Sequence, residues 1–337
     1  LASALAAVLF LLYYHRRLSQ AFGSMAADTA TAVLATAGGW AAFAQAGVFD
    51  AVLTAAFGTA MLALFEWIED PAHKRGLPLF GARLGLAVLA KGLVGPAVAA
   101  LAMIGVCRER GLASTAKDLV HPRATGPFLL VAGPWYLLCY LRNGQVFLEE
   151  FLWRHHVQRL FSAEIQHVQP WWFYLPVLIG ALLPWTPLLG ALRQRDWGRD
   201  PRARFLAAWG VMTVLFFSLS TNKLPGYILP ALPAIAALIG IRLARPPAPR
   251  LALALSALLL GALPLAAELL EVGSRLDPRT GTQRTGEART VRRETDEGRV
   301  ERIERVPAVR VGELRLAGRR RTQAAERIVR IEVVVLV

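Results

Sequence analysis

Two cysteines among 337 residues are too few for a disulfide framework. Cys139 falls inside an apolar run and Cys107 at the end of another, so both read as packing residues. Neither an HExxH nor a CxxC spacing occurs, and adjacent His155 and His156 would point to different faces of a helix, which removes the usual zinc arrangements. Acidic residues are also scarce, 24 against 38 Lys and Arg, for a formal net charge of +14. The chain does not open on Met. Leu1 already lies in an apolar run with no signal-peptide pattern, and we expect a fragment without its natural start.

Apolar residues are abundant instead: 55% of the chain, with a mean hydropathy of +0.42. The runs are too long and too frequent for one soluble core, which predicts an all-α polytopic membrane protein. The basic excess would point to nucleic acid in a soluble protein. Outside the tail, however, it sits mostly in short loops between apolar runs, the positive-inside pattern, so membrane lipids and not nucleic acid are the expected partners.

The basic loops around residues 15–17, 70–83, 108–123, 193–204 and 242–250 mark the expected cytoplasmic side. Spans then fall near 1–14, 26–45, 50–68, 126–141, 173–192, 204–220, 226–241 and 250–267. Residues 84–106 lie between two basic loops and must enter and leave on one side, with a helix break at Lys91, Gly92, Leu93, Val94, Gly95 and Pro96. That predicts a re-entrant or broken helix pair, tolerated only where protein or a wet cavity surrounds the freed backbone. The alternative is one full crossing, which would invert everything downstream.

On this topology the polar residues that need explaining meet on the non-cytoplasmic face. Residues 147–174 carry three of six histidines, three of nine tryptophans and the basic group Arg154, His155, His156 and Arg159. Residues 145–160 read as an amphipathic interfacial helix, with His156 and Arg159 on one face. A guanidinium beside an imidazole there suits a lipid phosphate, or simply anchors the loop to anionic lipid. Trp171, Trp172, Phe173 and Tyr174 read as an aromatic belt, or as faces for a sugar ring. Asp50, at the mouth of a span, is an N-cap or a site carboxylate. Lys223 and Tyr227 flank Pro225 and Gly226, a rigid turn that would present a cation and a phenol at the surface, either to a phosphate or as an interfacial anchor.

The run FLWRHHVQRLF, then HVQPWWFYLPVLIGALLPW and FFSLSTNKLPGYILP, resembles the bacterial lipid A aminoarabinose transferases and the protein O-mannosyltransferase-like group. LAKGLVGP is similar to that family's LTKGPVG-type element, and GVFDAVLT to its acidic span mouth; together the similarity covers residues 1–245. The resemblance implies a GT-C-like transmembrane helix bundle that moves a sugar from a polyprenyl-phosphate-linked donor to a lipid or protein acceptor. The site would lie on the periplasmic side of the bacterial inner membrane. It implies donor-phosphate contacts from Arg159 and Tyr227, support from Lys223, a motif position for His156, an organising role for Asp50, and for Lys91 a structural or cavity-facing place. No cofactor is implied with certainty, and a divalent cation remains open. The family's first outer loop with its presumed catalytic aspartate has no counterpart here, so the chain alone is expected to be inactive. A polyprenyl-lipid or sugar flippase is the competing reading, because it too would show a broken segment and interfacial cations.

Beyond residue 268 the character changes, and from residue 271 onward the chain is Arg-rich without a lysine or an aromatic residue. We divide the chain into a membrane domain, 1–268, and a tail, 269–337. The tail is expected as a small outer domain with short strands, a disordered segment or out-of-frame sequence.

Overall fold

The computed structural model describes residues 1–70, 75–106, 111–149, 151, 168–193 and 200–262. Among these, four helices are long and apolar enough to cross a membrane: Phe49–Glu69, Ala113–Asn143, Pro201–Leu219 and Pro225–Leu243. The protein is a membrane-embedded helix bundle. The tail and its expected strands lie outside the described residues.

Helix α1 (Ala2–Phe22) runs beside α4 (Phe49–Glu69), from a contact between Ser3 and the Val48 carbonyl at one end to the Arg17–Glu66 ion pair at the other. The two are therefore parallel, with both charged C-terminal ends at the side of the basic loops, called the basic end below. Between them α2 (Ser24–Thr36) and α3 (Gly38–Gln45) return the chain to the opposite end. Leucines at positions 5, 9 and 12 of α1 face outward while Phe10, Tyr14 and Leu18 are buried. That is the distribution of a helix with one face on lipid and one on protein.

Helix α5 (Gly76–Lys91) packs antiparallel on α4, since Gly76 abuts Trp67 at the basic end and Lys91 meets Asp50 at the other. Gly92, at φ +75°, then ends it. Helix α6 (Val94–Ala102) folds back, because a Cβ at Gly95 would stand 3.4 Å from Leu84 Cδ1 and 3.5 Å from the Ala87 Cβ. In a continuous helix those positions would be roughly 12–16 Å apart. The chain thus makes the expected helical pair, with its tip level with Asp50, but its first arm starts at Gly76, so residues 76–83 of the expected basic loop, Arg83 among them, are helix. Helix α7 (Leu112–Leu119) lies at the basic end, and α8 (Pro122–Asn143) leaves it parallel to α5, with Gly81 against Ala124 and Gly85 against Val131. A single full crossing at 84–106 would have made α8 antiparallel to α5.

Residues 173–192, expected as one simple span, are broken. Helix α9 (Tyr174–Ala181) and the 3₁₀ segment Thr186–Leu192 belong to a pair bent by 110°. Pro184 and Pro187 remove two backbone donors there. The expected span 26–45 is broken too, at Ala37, whose extended backbone separates α2 from α3. The two breaks meet. The Gly38 N–H donates to the Leu183 carbonyl at 2.8 Å, and Trp185 Nε1 donates to Thr36 Oγ1 at 2.8 Å. Backbone groups released inside a bilayer have to find protein partners, and each break supplies the other's.

Helix α10 (Pro201–Leu219) returns to the end opposite the basic one, and the chain turns back through the 3₁₀ turn Pro225–Ala231 and the buried α11 (Leu232–Leu243). The Tyr14 hydroxyl of α1 donates to the Pro233 carbonyl at 2.7 Å. A last apolar helix, α12 (Arg250–Ala262), closes the described chain.

Candidate functional site

Asp50 is the second residue of α4. The N-cap is Val48, and no side chain caps that end, so the N-cap role open to Asp50 is not the one it takes. Its Oδ1 instead lies 2.5 Å from Lys91 Nζ, with 16% and 30% of the two side chains exposed. Antiparallel packing puts the first turn of α4 beside the last turn of α5. An acid at a helix N-terminus and a base at a C-terminus are each favoured by the local backbone dipoles.

The Lys91 ammonium also stands 4.7 Å from the centre of the Tyr227 ring, within cation–π range. Tyr227 packs on Phe217, ring centres 5.2 Å apart. Its neighbour Gly226 lies directly on the carboxylate: a Cβ there would come within 2.8 Å of Asp50 Oδ1 and 2.7 Å of the Phe43 ring. Only glycine lets the turn approach so closely. Asp50, Lys91 and Tyr227 thus form one contiguous group from three elements, in which an ammonium is held between a carboxylate and an aromatic face.

Lys223 was expected to stand beside Tyr227 at the surface. It is 4% exposed, and its Nζ donates to the Gln169 carbonyl at 3.0 Å and to the Ser220 carbonyl. Val168 pairs with Asn222 in an antiparallel bridge, and the Gln169 N–H donates to Thr221 O at 3.4 Å. Tyr174 adds a hydroxyl bond to the Leu224 carbonyl at 3.2 Å. Lys223 therefore fastens the C-terminal end of the loop between α8 and α9 to the turn that carries Tyr227. At the other end of that loop Phe147 and Phe151 stack at 5.3 Å and meet Trp135 and Tyr136 of α8. The segment between, with His156 and Arg159, lies outside the described residues.

Burial pushes Lys223 below its ordinary value of 10.5. The folded chain then releases this proton at a lower pH than the unfolded chain. Between the two values the unfolded state binds more protons, and stability from this group rises with pH. We expect the advantage of wild type over Lys223→Met in detergent melting curves to widen as pH approaches 10.5. A gap that narrows over that range would contradict the buried clamp. At neutral pH the substitution should cost about 1–3 kcal/mol, the desolvation of two carbonyls left without this donor.

Two members of this group were not among the expected donor-phosphate residues: Lys91, expected only as a structural or cavity-facing residue, and Gly226, expected only as part of a rigid turn. A signal existed for the first, a lysine set in an apolar segment just before a glycine, since an ionisable group at such a place needs a partner. Among the described residues, no group of three or more His, Cys, Asp or Glu side chains could hold a metal ion.

No protein-family profile matches the chain. It is 42% identical over 114 residues to the undecaprenyl phosphate-alpha-4-amino-4-deoxy-L-arabinose arabinosyl transferase of Pseudomonas paraeruginosa, covering 33% of this chain and 21% of that protein. It is 32% identical over 201 residues to the enzyme of that name from Serratia proteamaculans, covering 57% and 35%. In three dimensions it matches ArnT from Cupriavidus metallidurans bound to undecaprenyl phosphate with a TM-score of 0.65 and 28% identity, over 72% of this chain and 45% of that one. The chain is similar to the aminoarabinose transferases and shares the GT-C-like fold of ArnT. The apo form of ArnT matches similarly, with a TM-score of 0.64 and 25% identity. The matched stretches span about a third or less of these two curated relatives and less than half of the ArnT chain.

Proposed function

We propose that this aminoarabinose transferase-like chain forms the donor-phosphate side of a glycosyltransferase. The enzyme moves a sugar from a polyprenyl-phosphate donor to a lipid A-like or protein acceptor on the periplasmic face of the bacterial inner membrane. The observation that carries the reading is the Asp50–Lys91–Tyr227 group, a charged, partly shielded site at the outer mouth of a membrane bundle. Its support is the fold, shared with a protein crystallised with undecaprenyl phosphate.

In such a transfer the bond between the anomeric carbon and the phosphate breaks, and charge accumulates on the departing lipid phosphate. Preorganised donors aimed at that charge lower the barrier without reorganising. Arg159 offers a bidentate fork, Tyr227 a phenolic donor and Lys91 an ammonium fixed by Asp50. His156 belongs to the same outer loop, and Lys223 supports the site by holding that loop's end. Because Asp50 accepts from Lys91, its part is to position the cation. Inversion by single displacement follows from the family analogy. Residues 1–268 form the working membrane domain, and we assign no function to 269–337.

The test is binding of undecaprenyl phosphate to the chain in detergent, with polyprenol as the phosphate-free control. Arg159→Ala should weaken phosphate-dependent binding about tenfold or more, the loss expected for ~1.5–3 kcal/mol of charge-assisted hydrogen bonding, and Tyr227→Phe less. Unchanged binding in both variants would sink the phosphate site. Movement of the lipid between leaflets by reconstituted chain, with no sugar transfer, would favour the flippase.

A further inference from the structure

Arg83 lies one side of the bundle away from this site, in the middle of α5. Its Nη1 reaches across α4 to the Thr59 carbonyl at 3.1 Å and to the Tyr13 hydroxyl of α1, and its guanidinium carbon stands 4.5 Å from the centre of the Tyr13 ring. Thr59 is ten residues from either end of the membrane-crossing α4. Tyr13 is four residues, roughly 6 Å along a helix, deeper than Arg17, whose pair with Glu66 marks the charged layer at the basic end. A charged side chain at such depth is costly unless something meets it.

Within the described residues no carboxylate does. Glu66 is taken by Arg17, and Glu69 is paired with Arg202. Nη1 alone carries the hydrogen bonds that join Arg83 to the bundle. The Nε–Nη2 edge has no hydrogen-bond partner among the described residues, and the side chain is only partly buried. That edge presents two parallel N–H groups, the fork that matches two oxygens of a phosphate. Tyr13 steadies the guanidinium from one side, through its hydroxyl and a cation–π contact with its ring. Exposed Leu12 of α1 and Leu86 of α5 give the surroundings the apolar character that acyl chains need.

We propose that Arg83 and Tyr13 form a binding site for the phosphate of a membrane lipid in the leaflet at the basic end, separate from the donor site at the outer mouth. The lipid's headgroup is drawn inward by about one to two helical turns, and its chains lie along α1 and α5. The phosphate supplies the counter-charge that no described carboxylate gives Arg83. The geometry distinguishes arginine from lysine, because an ammonium could keep the charge but could not engage two oxygens side by side while remaining bonded to Thr59 and Tyr13.

The experiment is native mass spectrometry of the whole chain released from detergent after delipidation and titration with one lipid at a time, phosphatidylglycerol in one arm and undecaprenyl phosphate in the other. Wild type should retain one more lipid than Arg83→Met, with Arg83→Lys retaining at least threefold less than wild type at equal lipid. Retention lost in the phosphatidylglycerol arm identifies a phospholipid; retention lost only in the undecaprenyl phosphate arm identifies the polyprenyl carrier. Equal retention by wild type and both variants, in both arms, overturns the site and leaves Arg83 as a strut between helices. Should Arg83→Met fail to fold, the comparison of wild type with Arg83→Lys decides alone. Gly133→Ala, which lies outside both sites with open space around it, should leave retention unchanged in both arms. Loss of retention in the phosphatidylglycerol arm by Lys91→Met, but not by Arg83→Lys, would reassign the retained lipid to the donor site and overturn the proposal.

Discussion

Lys91→Met is expected to lower the stability of the chain by about 2 kcal/mol and to weaken binding of undecaprenyl phosphate at least tenfold. The size follows from burial. Removing one partner of a fully buried pair costs roughly 3–5 kcal/mol, while exposed pairs contribute about 0–1. Asp50 and Lys91, 16% and 30% exposed, stand between those limits. The substitution leaves a carboxylate under Gly226 and beside Tyr227 with its cation gone, so the group turns from near neutral to negative just where the proposed lipid phosphate would approach. Asp50→Asn in the same chain should recover at least half of the lost stability, because two neutral groups then replace an unpaired charge. Melting curves of the two single variants and the double one give the coupling directly. Additive losses would mean that the pair does not hold the outer mouth together. If Asp50 acted only through the helix terminus, the loss from Lys91→Met would stay below ~0.5 kcal/mol.

Gly81→Leu should do more damage than any change at the site itself. A Cβ on Gly81 would lie 1.9 Å from the Ala124 carbonyl oxygen and 2.7 Å from its carbon, contacts with backbone that no side-chain rotation can relieve. Helices α5 and α8 would have to separate along their whole contact. Overpacking of a well-filled interior typically costs about 1–3 kcal/mol, and backbone overlap of this kind belongs at or above the upper limit. We expect little folded protein by size-exclusion in detergent, and for Gly81→Ala a measurable fall in melting temperature. Gly133→Ala is the control. It lies on the same α8 with nothing within 4 Å, and it should be neutral or stabilise by up to about 1 kcal/mol. A Gly81→Ala variant as stable as Gly133→Ala would show that the two helices are not in that close contact. Small residues at helix crossings matter in membranes because lipid-exposed surfaces gain little from leaving lipid, and close packing must supply the association.

How much of this was legible beforehand differs by feature. The re-entrant pair followed from two basic loops enclosing one apolar segment with a Lys-Gly break, because charge on loops records which side they occupy. Residues 173–192 read as a single span, since a mean hydropathy does not register that the prolines leave a backbone carbonyl, that of Leu183, whose partner is Gly38, 145 residues away. Asp50 read equally as an N-cap or a site carboxylate, and its pairing with Lys91 depended on α5 returning to the mouth of α4. Lys223 and Tyr227, four apart in one turn, read as neighbours presented together. The fold sends one to the carbonyls of Gln169 and Ser220 and the other to the Lys91 ammonium.

Composition and charge by themselves determined that the chain is a polytopic helical membrane protein, which ends carry the basic loops, and which polar residues were too costly to be incidental. Those properties are sums over segments, and each segment carries them without knowing its neighbours. The tertiary structure decided the pairings: Asp50 with Lys91, Lys91 with Tyr227, Gly226 against the carboxylate, and Arg83 across α4 to Tyr13. Each joins residues far apart in the chain, and each exists because a buried charge or a freed backbone group in an apolar medium lowers its free energy only by meeting one specific partner.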